Sequence, residues 1–233
     1  MAGNGNKKLE QYLATEPGPK VEEDALLSDK AYKRLLDAFR HGGFKPGDIL
    51  SVNRISQLLG ISRTPVTQAM RRLAQEGIIQ INPGHSISVA APSFQEALDS
   101  VDVRMLLEPV QVSLVAGKLP PEAQEKLLNT LDVMEQAAQE DDRGAWSRAD
   151  TIYHEILFTN CPNQYLGKIV MQSRNRVLRT VTDRYTSRQY IIDGTIEHRN
   201  IAEAIISGDS QRAEALMLVH IQNVRKKMIE RFS

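Results

Sequence analysis

The chain has 233 residues, with 29 basic and 29 acidic side chains, 41% hydrophobic residues and one cysteine, Cys161. A lone cysteine excludes an internal disulfide framework and fits a reducing compartment. No apolar run is long enough to span a bilayer, and the polar start lacks the apolar core of a signal peptide, so a cytoplasmic protein without membrane contact is expected.

Residues 1–27 carry Gly, Asn, Lys and Glu and the step Pro17-Gly18-Pro19, a composition that predicts a flexible arm. From Ser28 to His41 the apolar positions Ala31, Leu35, Leu36 and Phe39 recur on one helical side, and Gly42-Gly43 ends the pattern. Phe44 to Asp48 reads as a turn. Two helical patterns follow, Ser51–Leu59 and Ser62–Gln75, separated by Gly60, which can take positive φ in a sharp turn. Ser62 is placed to cap the second, and Pro65 falls in its first turn, where proline is tolerated. The apolar run Ile78–Ile81 breaks at Pro83-Gly84 and resumes in alternation at Ile87 and Val89, which predicts a small hairpin.

After a short hinge, Ala90 to Ser93, strand signals vanish. Helices are expected near 93–119, 121–139, 142–160, 165–187, 189–207 and 210–231, with short joints that imply an antiparallel bundle able to host a ligand or metal site. The fold class is therefore mainly α. An N-terminal winged helix-turn-helix (28–91) follows the arm (1–27), and a C-terminal all-α antiparallel bundle (93–233) completes the chain.

The balanced net charge hides an asymmetry. Residues 28–91 hold nine Lys/Arg against four Asp/Glu, whereas residues 93–233 hold 17 against 20. A basic first domain suits a polyanion. In a helix-turn-helix the second helix enters the major groove N-terminal end first, and here that end offers Ser62, Arg63, Thr64 and Thr67. Arg63 can form a bidentate contact with a guanine edge. Arg54 is placed to meet the backbone, and Gly84 and His85 at the wing tip are placed to reach the minor groove. The basic residues fall on groove-facing positions, which favours operator double-stranded DNA over a protein-contact module.

Three blocks in order, Phe44-Lys45-Pro46-Gly47-Asp48, Ser62-Arg63-Thr64-Pro65-Val66 and Arg72-Leu73-Ala74-Gln75-Glu76-Gly77, resemble the GntR family of bacterial transcription regulators. The resemblance implies that Arg54, Arg63, Thr64 and Gly84 occupy DNA-contact positions. Two departures stand out. Thr67 stands where the family usually has Arg, and Gly84-His85-Ser86-Ile87 replaces the usual Gly-Arg/Lys-Gly-Thr wing, so the operator preference is expected to differ.

In the helical half, Asp150 and His154 are spaced i, i+4 and project from one face, which Trp146, Tyr153 and Leu157 mark as turned inward. His198 and His220 flank the Gly208-Asp209 turn at similar separations, which places both roughly 15–18 Å from it on antiparallel helices. Three His and one Asp suit Zn²⁺ and equally Ni²⁺ or Mn²⁺; satisfied core histidines remain the alternative on spacing alone. The pattern resembles the metal-binding FCD ligand-binding domain of the FadR-like GntR branch, which implies a divalent metal ion held by Asp150, His154, His198 and His220. The resemblance also implies a small carboxylate effector, with Arg104 facing it; an exposed pair with Glu108 or Asp99 is the alternative for Arg104. Arg199 and Asn175 are further candidates to line the site.

The expected protein is a homodimeric transcription regulator, a repressor, whose operator binding answers to a small carboxylate bound beside the metal. A regulator sensing the ion itself is an alternative. A metal-dependent hydrolase or hydratase is another, opposed by the lack of a general acid or base beside the quartet and by the attached DNA reader. No enzyme activity is expected.

Overall fold

The computed structural model describes residues 5–15, 26–42, 44–82, 86–185 and 187–230, with 176–185 described by their backbone alone. The chain divides into two units, Met1–Pro92 and Ser93–Ser233.

In the first unit, helices α1 (Gly5–Thr15), α2 (Leu27–His41), α3 (Val52–Leu59) and α4 (Arg63–Gln75) accompany strands β1 (Ile49–Leu50), β2 (Ile79–Ile81) and β3 (Ile87–Val89). The strands form an antiparallel sheet in the order β1-β3-β2, with Ile81 opposite Ile87 and Ile49 opposite Ser88. β1 escapes a periodicity reading because two residues cannot show an alternation. Gly60 takes φ 64°, the left-handed conformation that lets the chain turn sharply between α3 and α4. Leu35, Ile55, Val66, Met70 and Leu73 fill the core beneath.

Residues 5–15, which their composition marks as part of a flexible arm, instead form helix α1. Leu9 is fully buried in the first core, and Asn6 Oδ1 accepts the Ser51 N–H at 2.9 Å. Tyr12 donates its hydroxyl to Asp37 at 2.8 Å. These anchors sit at i, i+3 and i+6 on one face, so tertiary burial overrides a polar composition.

Two residues of the recurrent blocks act as framework. Asp48 is buried and accepts the Lys45 N–H at 2.8 Å, closing the turn before β1. Glu76 is buried at the end of α4, where it accepts the Tyr32 hydroxyl at 2.7 Å.

The second unit comprises α5 (Phe94–Val115), α6 (Pro121–Glu140), α7 (Arg143–Thr159), α8 (Gln164–Tyr185), α9 (Arg188–Ser207) and α10 (Ser210–Glu230), with no strand among the described residues. Local chemistry sets the ends. Ser93 and Glu96 form a capping box on α5, Asp142 accepts the Ala145 N–H at 2.9 Å, and Gly208 closes α9 at φ 78°. α5 lies against α8 and α10, and α6 against α7 and α9. The core runs through Val101, Val112, Leu131, Met134, Tyr153, Ile191, Ile201 and Ile221. Among the described residues no helix is long and apolar enough to cross a membrane.

Candidate metal centre and nucleic-acid interface

α7, α9 and α10 each bring one buried imidazole to a common point. His154, His198 and His220 each place one ring nitrogen within 4.8 Å of the other two. His154 Nε2 and His198 Nε2 are 3.1 Å apart, and the rings of His198 and His220 are centred 4.6 Å apart. The similar spacing of His198 and His220 from the Gly208 turn thus brings them to one level, across antiparallel helices. Asp150 Oδ1 lies 3.1 Å from His198 Nε2 and 3.5 Å from His154 Nε2.

The outward-facing nitrogens place one proton on each of two rings. His198 Nδ1 meets the Gly194 carbonyl at 2.5 Å, and His220 Nδ1 meets Glu197 Oε2 at 2.7 Å. A carbonyl and a carboxylate only accept, so both Nδ1 atoms carry a proton, and in the neutral ring Nε2 is then the nitrogen that presents a lone pair. Lone pairs converging beside a carboxylate, in a buried setting, are the donor set of a divalent transition metal, so the residues present fit such an ion. Tyr153 donates its hydroxyl to the His198 carbonyl at 2.9 Å, and Trp146 stands edge-on to the His198 ring. Both fix the inner face of α9.

A second buried layer surrounds the imidazoles. Arg104 is 5% exposed, and its Nε donates to Glu108 Oε1 at 2.6 Å. The partner is the Glu108 foreseen in the alternative, but the pair lies inside the bundle, not on its surface. Arg174 on α8, which no sequence pattern singled out, donates to Asp150 Oδ2 at 3.0 Å and meets Glu108 Oε2 at 3.5 Å. Asn175 is buried, whereas Arg199 pairs with Glu135 and Asp132 on α6 and does not join the imidazoles.

Burial pushes the Glu108 carboxyl upward, but Arg104, Arg174 and His154 outweigh it and bring it down to about 2. Burial likewise opposes ionisation of Asp150, and His154 and Arg174 override it, holding that carboxyl well below the usual carboxylate range. For His154, burial and then Arg174 push the imidazole down to about 3; burial also lowers His220, against the pull of Glu197. Both rings are therefore neutral at ordinary pH.

This has a measurable consequence for metal-free protein. An imidazole in the unfolded chain titrates near 6.5. Below that pH the unfolded state binds protons that folded His154 and His220 do not, so stability falls as pH drops. The depressed carboxylates keep their contribution until the pH approaches the range near 4 where unfolded Asp and Glu titrate. Urea midpoints of chelator-treated protein are expected to decline steadily between pH 6.5 and 4.5, with a limiting slope near 1.4 kcal/mol per pH unit per histidine. A flat profile in that window contradicts the burial of neutral imidazoles.

In the first unit, Ser62, Arg63 and Thr64 are exposed at the N-terminus of α4, where free backbone N–H groups and the helix dipole favour an anion. Ser62 occupies the cap position with extended backbone, but its hydroxyl makes no capping bond. Among the described residues Arg63 has no ion-pair partner. Thr67 returns its hydroxyl to the Arg63 carbonyl at 2.8 Å. Arg54, half-exposed, donates to Glu10 of α1 at 2.6 Å, a surface pair worth about 0–1 kcal/mol and easily exchanged for a phosphate. Arg72 is committed to structure, stacked 3.6 Å over the Tyr32 ring. Gly84 and His85 lie outside the described residues.

Comparison with known proteins agrees with this architecture. Residues 99–223 match the FCD domain, and residues 27–89 match the bacterial regulatory proteins of the gntR family. The chain is 26% identical over 209 residues to the transcriptional regulator LutR of Bacillus subtilis, covering 79% of this chain and 93% of LutR. It is 25% identical over 204 residues to the transcriptional repressor GlaR of Escherichia coli, covering 82% of this chain and 90% of GlaR. Its fold is similar to that of E. coli McbR/YncC, with a TM-score of 0.78 at 17% identity over 90% of this chain and all of the other.

Proposed function

The chain belongs to the GntR family of bacterial regulatory proteins, with an FCD domain as its second half, and from that premise we propose that it is a repressor whose operator binding is set by a small carboxylate bound beside a divalent metal ion. It is a transcription regulator with a helix-turn-helix reader, and its relatives are regulators, not enzymes. That GlaR is a repressor supports the direction of control.

The observation that carries the proposal is the buried imidazole trio with Asp150 alongside. His154, His198, His220 and Asp150 would hold the ion, which supplies a Lewis-acid anchor for ligand oxygens. Zinc suits this nitrogen-rich set, with nickel and manganese as the other candidates. Arg104 spends Nε on Glu108, and among the described residues its terminal nitrogens have no hydrogen bond, so they would clamp a carboxylate. In the reader, Arg63 takes a base edge, Ser62, Thr64 and Thr67 the adjacent base and phosphate positions, Arg54 the backbone, and Gly84 with His85 the minor groove.

Homodimerisation follows from the reader, since a two-fold protein matches a pseudo-palindromic operator. Val103, Leu106 and Val110 support it: they form an exposed apolar line at i, i+3 and i+7 on α5, with Leu106 72% exposed. Ligand-induced change in the bundle would reach the reader through residues 90–93. By linkage, operator DNA must weaken effector binding by the factor that effector weakens DNA binding.

The test compares operator binding by protein stripped of metal, reloaded with zinc, and reloaded with a panel of organic acids present. Release only in the last arm supports the proposal; switching by the ion alone favours a metal sensor. In the same assay Arg63→Ala is expected to lose about 1–3 kcal/mol of discrimination at one base pair per half-site. Equal loss on unrelated DNA would assign Arg63 to a phosphate instead.

A further inference from the structure

We infer that Glu197, gripped by Asn223, is a positioning residue that sets the tautomer and ring orientation of His220 for metal binding. The inference rests on the metal reading above and goes beyond the four ligand positions.

The three imidazoles are not held alike. His198 is fixed within its own helix, through the Gly194 carbonyl four residues earlier, so its orientation follows from α9 alone. His154 Nδ1 has Glu108 Oε2 at 3.9 Å, beyond hydrogen-bond reach. His220 depends on a neighbouring helix. Its Nδ1 donates to Glu197 Oε2 at 2.7 Å, and Asn223 Nδ2 donates to Glu197 Oε1 at 2.7 Å.

His220 and Asn223 are three residues apart on α10, on adjacent turns of one face. Two donors from α10 therefore grip both oxygens of one carboxylate from α9, which pins the carboxylate plane. That plane in turn pins the imidazole. An acceptor at Nδ1 forces the proton there and leaves the Nε2 lone pair for the ion; an anionic acceptor also makes that lone pair more basic. His220 is 5% exposed, so the alternative tautomer would bury an N–H against the other imidazoles and set Nδ1 against the carboxylate. Glu197 is near enough to the surface to be solvated in part, and this keeps an anion tolerable at that position.

The test uses the full chain, freed of metal with a chelator, and measures zinc affinity by competition with a chromophoric chelator. Glu197→Gln is expected to weaken zinc binding about 10–100-fold. Asn223→Leu changes no charge, yet it releases the carboxylate and is expected to weaken zinc binding by a smaller factor, which separates positioning from simple attraction of a cation. The cobalt-loaded protein adds a readout that a purely structural role would not move: both variants are expected to shift the visible absorption bands, while the urea midpoint of metal-free protein stays near wild type. His220→Ala serves as the reference for loss of a ligand. Wild-type zinc affinity and cobalt spectrum in Glu197→Gln, alongside loss in His220→Ala, overturn the inference alone. Failure of the wild-type chain to bind zinc or cobalt overturns the metal reading itself and the inference with it.

Discussion

The paired replacement His198→Ala and His220→Ala is expected to leave the purified protein with no tightly held metal, by elemental analysis, where the wild type retains about one ion per chain. The two residues supply two of three convergent imidazoles, and the rest of the donor set comes from one helix, α7. A single-helix pair cannot enclose an ion. The loss should therefore exceed the roughly 10–100-fold typical of removing an outer-shell partner. Stability should follow occupancy, because an ion that binds only the folded state contributes about 4 kcal/mol at a thousandfold excess over its Kd. In a domain of this size that corresponds to about 10 °C in Tm, so chelation should lower the melting temperature of the wild type by that order and leave the double variant almost unchanged. Full metal content in the double variant would refute the site.

Arg174→Met is expected to destabilise the second unit by about 3–5 kcal/mol, read as a shift in urea midpoint. Arg174, 11% exposed, bridges Asp150, 16% exposed, to the buried Glu108. Removing one guanidinium leaves two carboxylates that have each lost a partner and can regain only a small part of a hydration shell. The deficit should be largest in metal-free protein, since a divalent ion beside Asp150 restores part of the lost positive charge. A loss below about 1 kcal/mol, the scale of an exposed pair, would show that water reaches this layer.

Much of the architecture is legible in the sequence because it is locally determined. Gly60 and Gly208 end their helices in left-handed conformations, and Ser93 with Glu96 and Asp142 begin theirs through short-range hydrogen bonds. Each depends on neighbours within a few positions. The candidate ligands yield to the same kind of reading: i, i+4 spacing places Asp150 beside His154, and near-equal distances from one turn bring His198 level with His220.

The parts that escaped are those joined across the chain. α1 looks like a solvated arm until Leu9 is seen at the centre of the first core. Arg174 meets Glu108 across 66 residues and Asp150 across 24, and Glu197 meets His220 across 23, none with a periodic signature. Arg104 shows the limit within a single helix. Spacing pairs it with Glu108, but spacing cannot say whether the pair faces water.

By itself the sequence determined the two-part organisation, the order and ends of the helices, the reading helix with Arg63 at its tip, and the candidate quartet in the bundle. These follow from backbone hydrogen bonding and apolar periodicity, which act over a few residues. Only the tertiary structure decided which charges lose their water, which imidazole nitrogens carry protons, and which distant side chains hold the others in place. Desolvation and hydrogen-bond partnership belong to the packed interior, and no stretch of chain contains them alone.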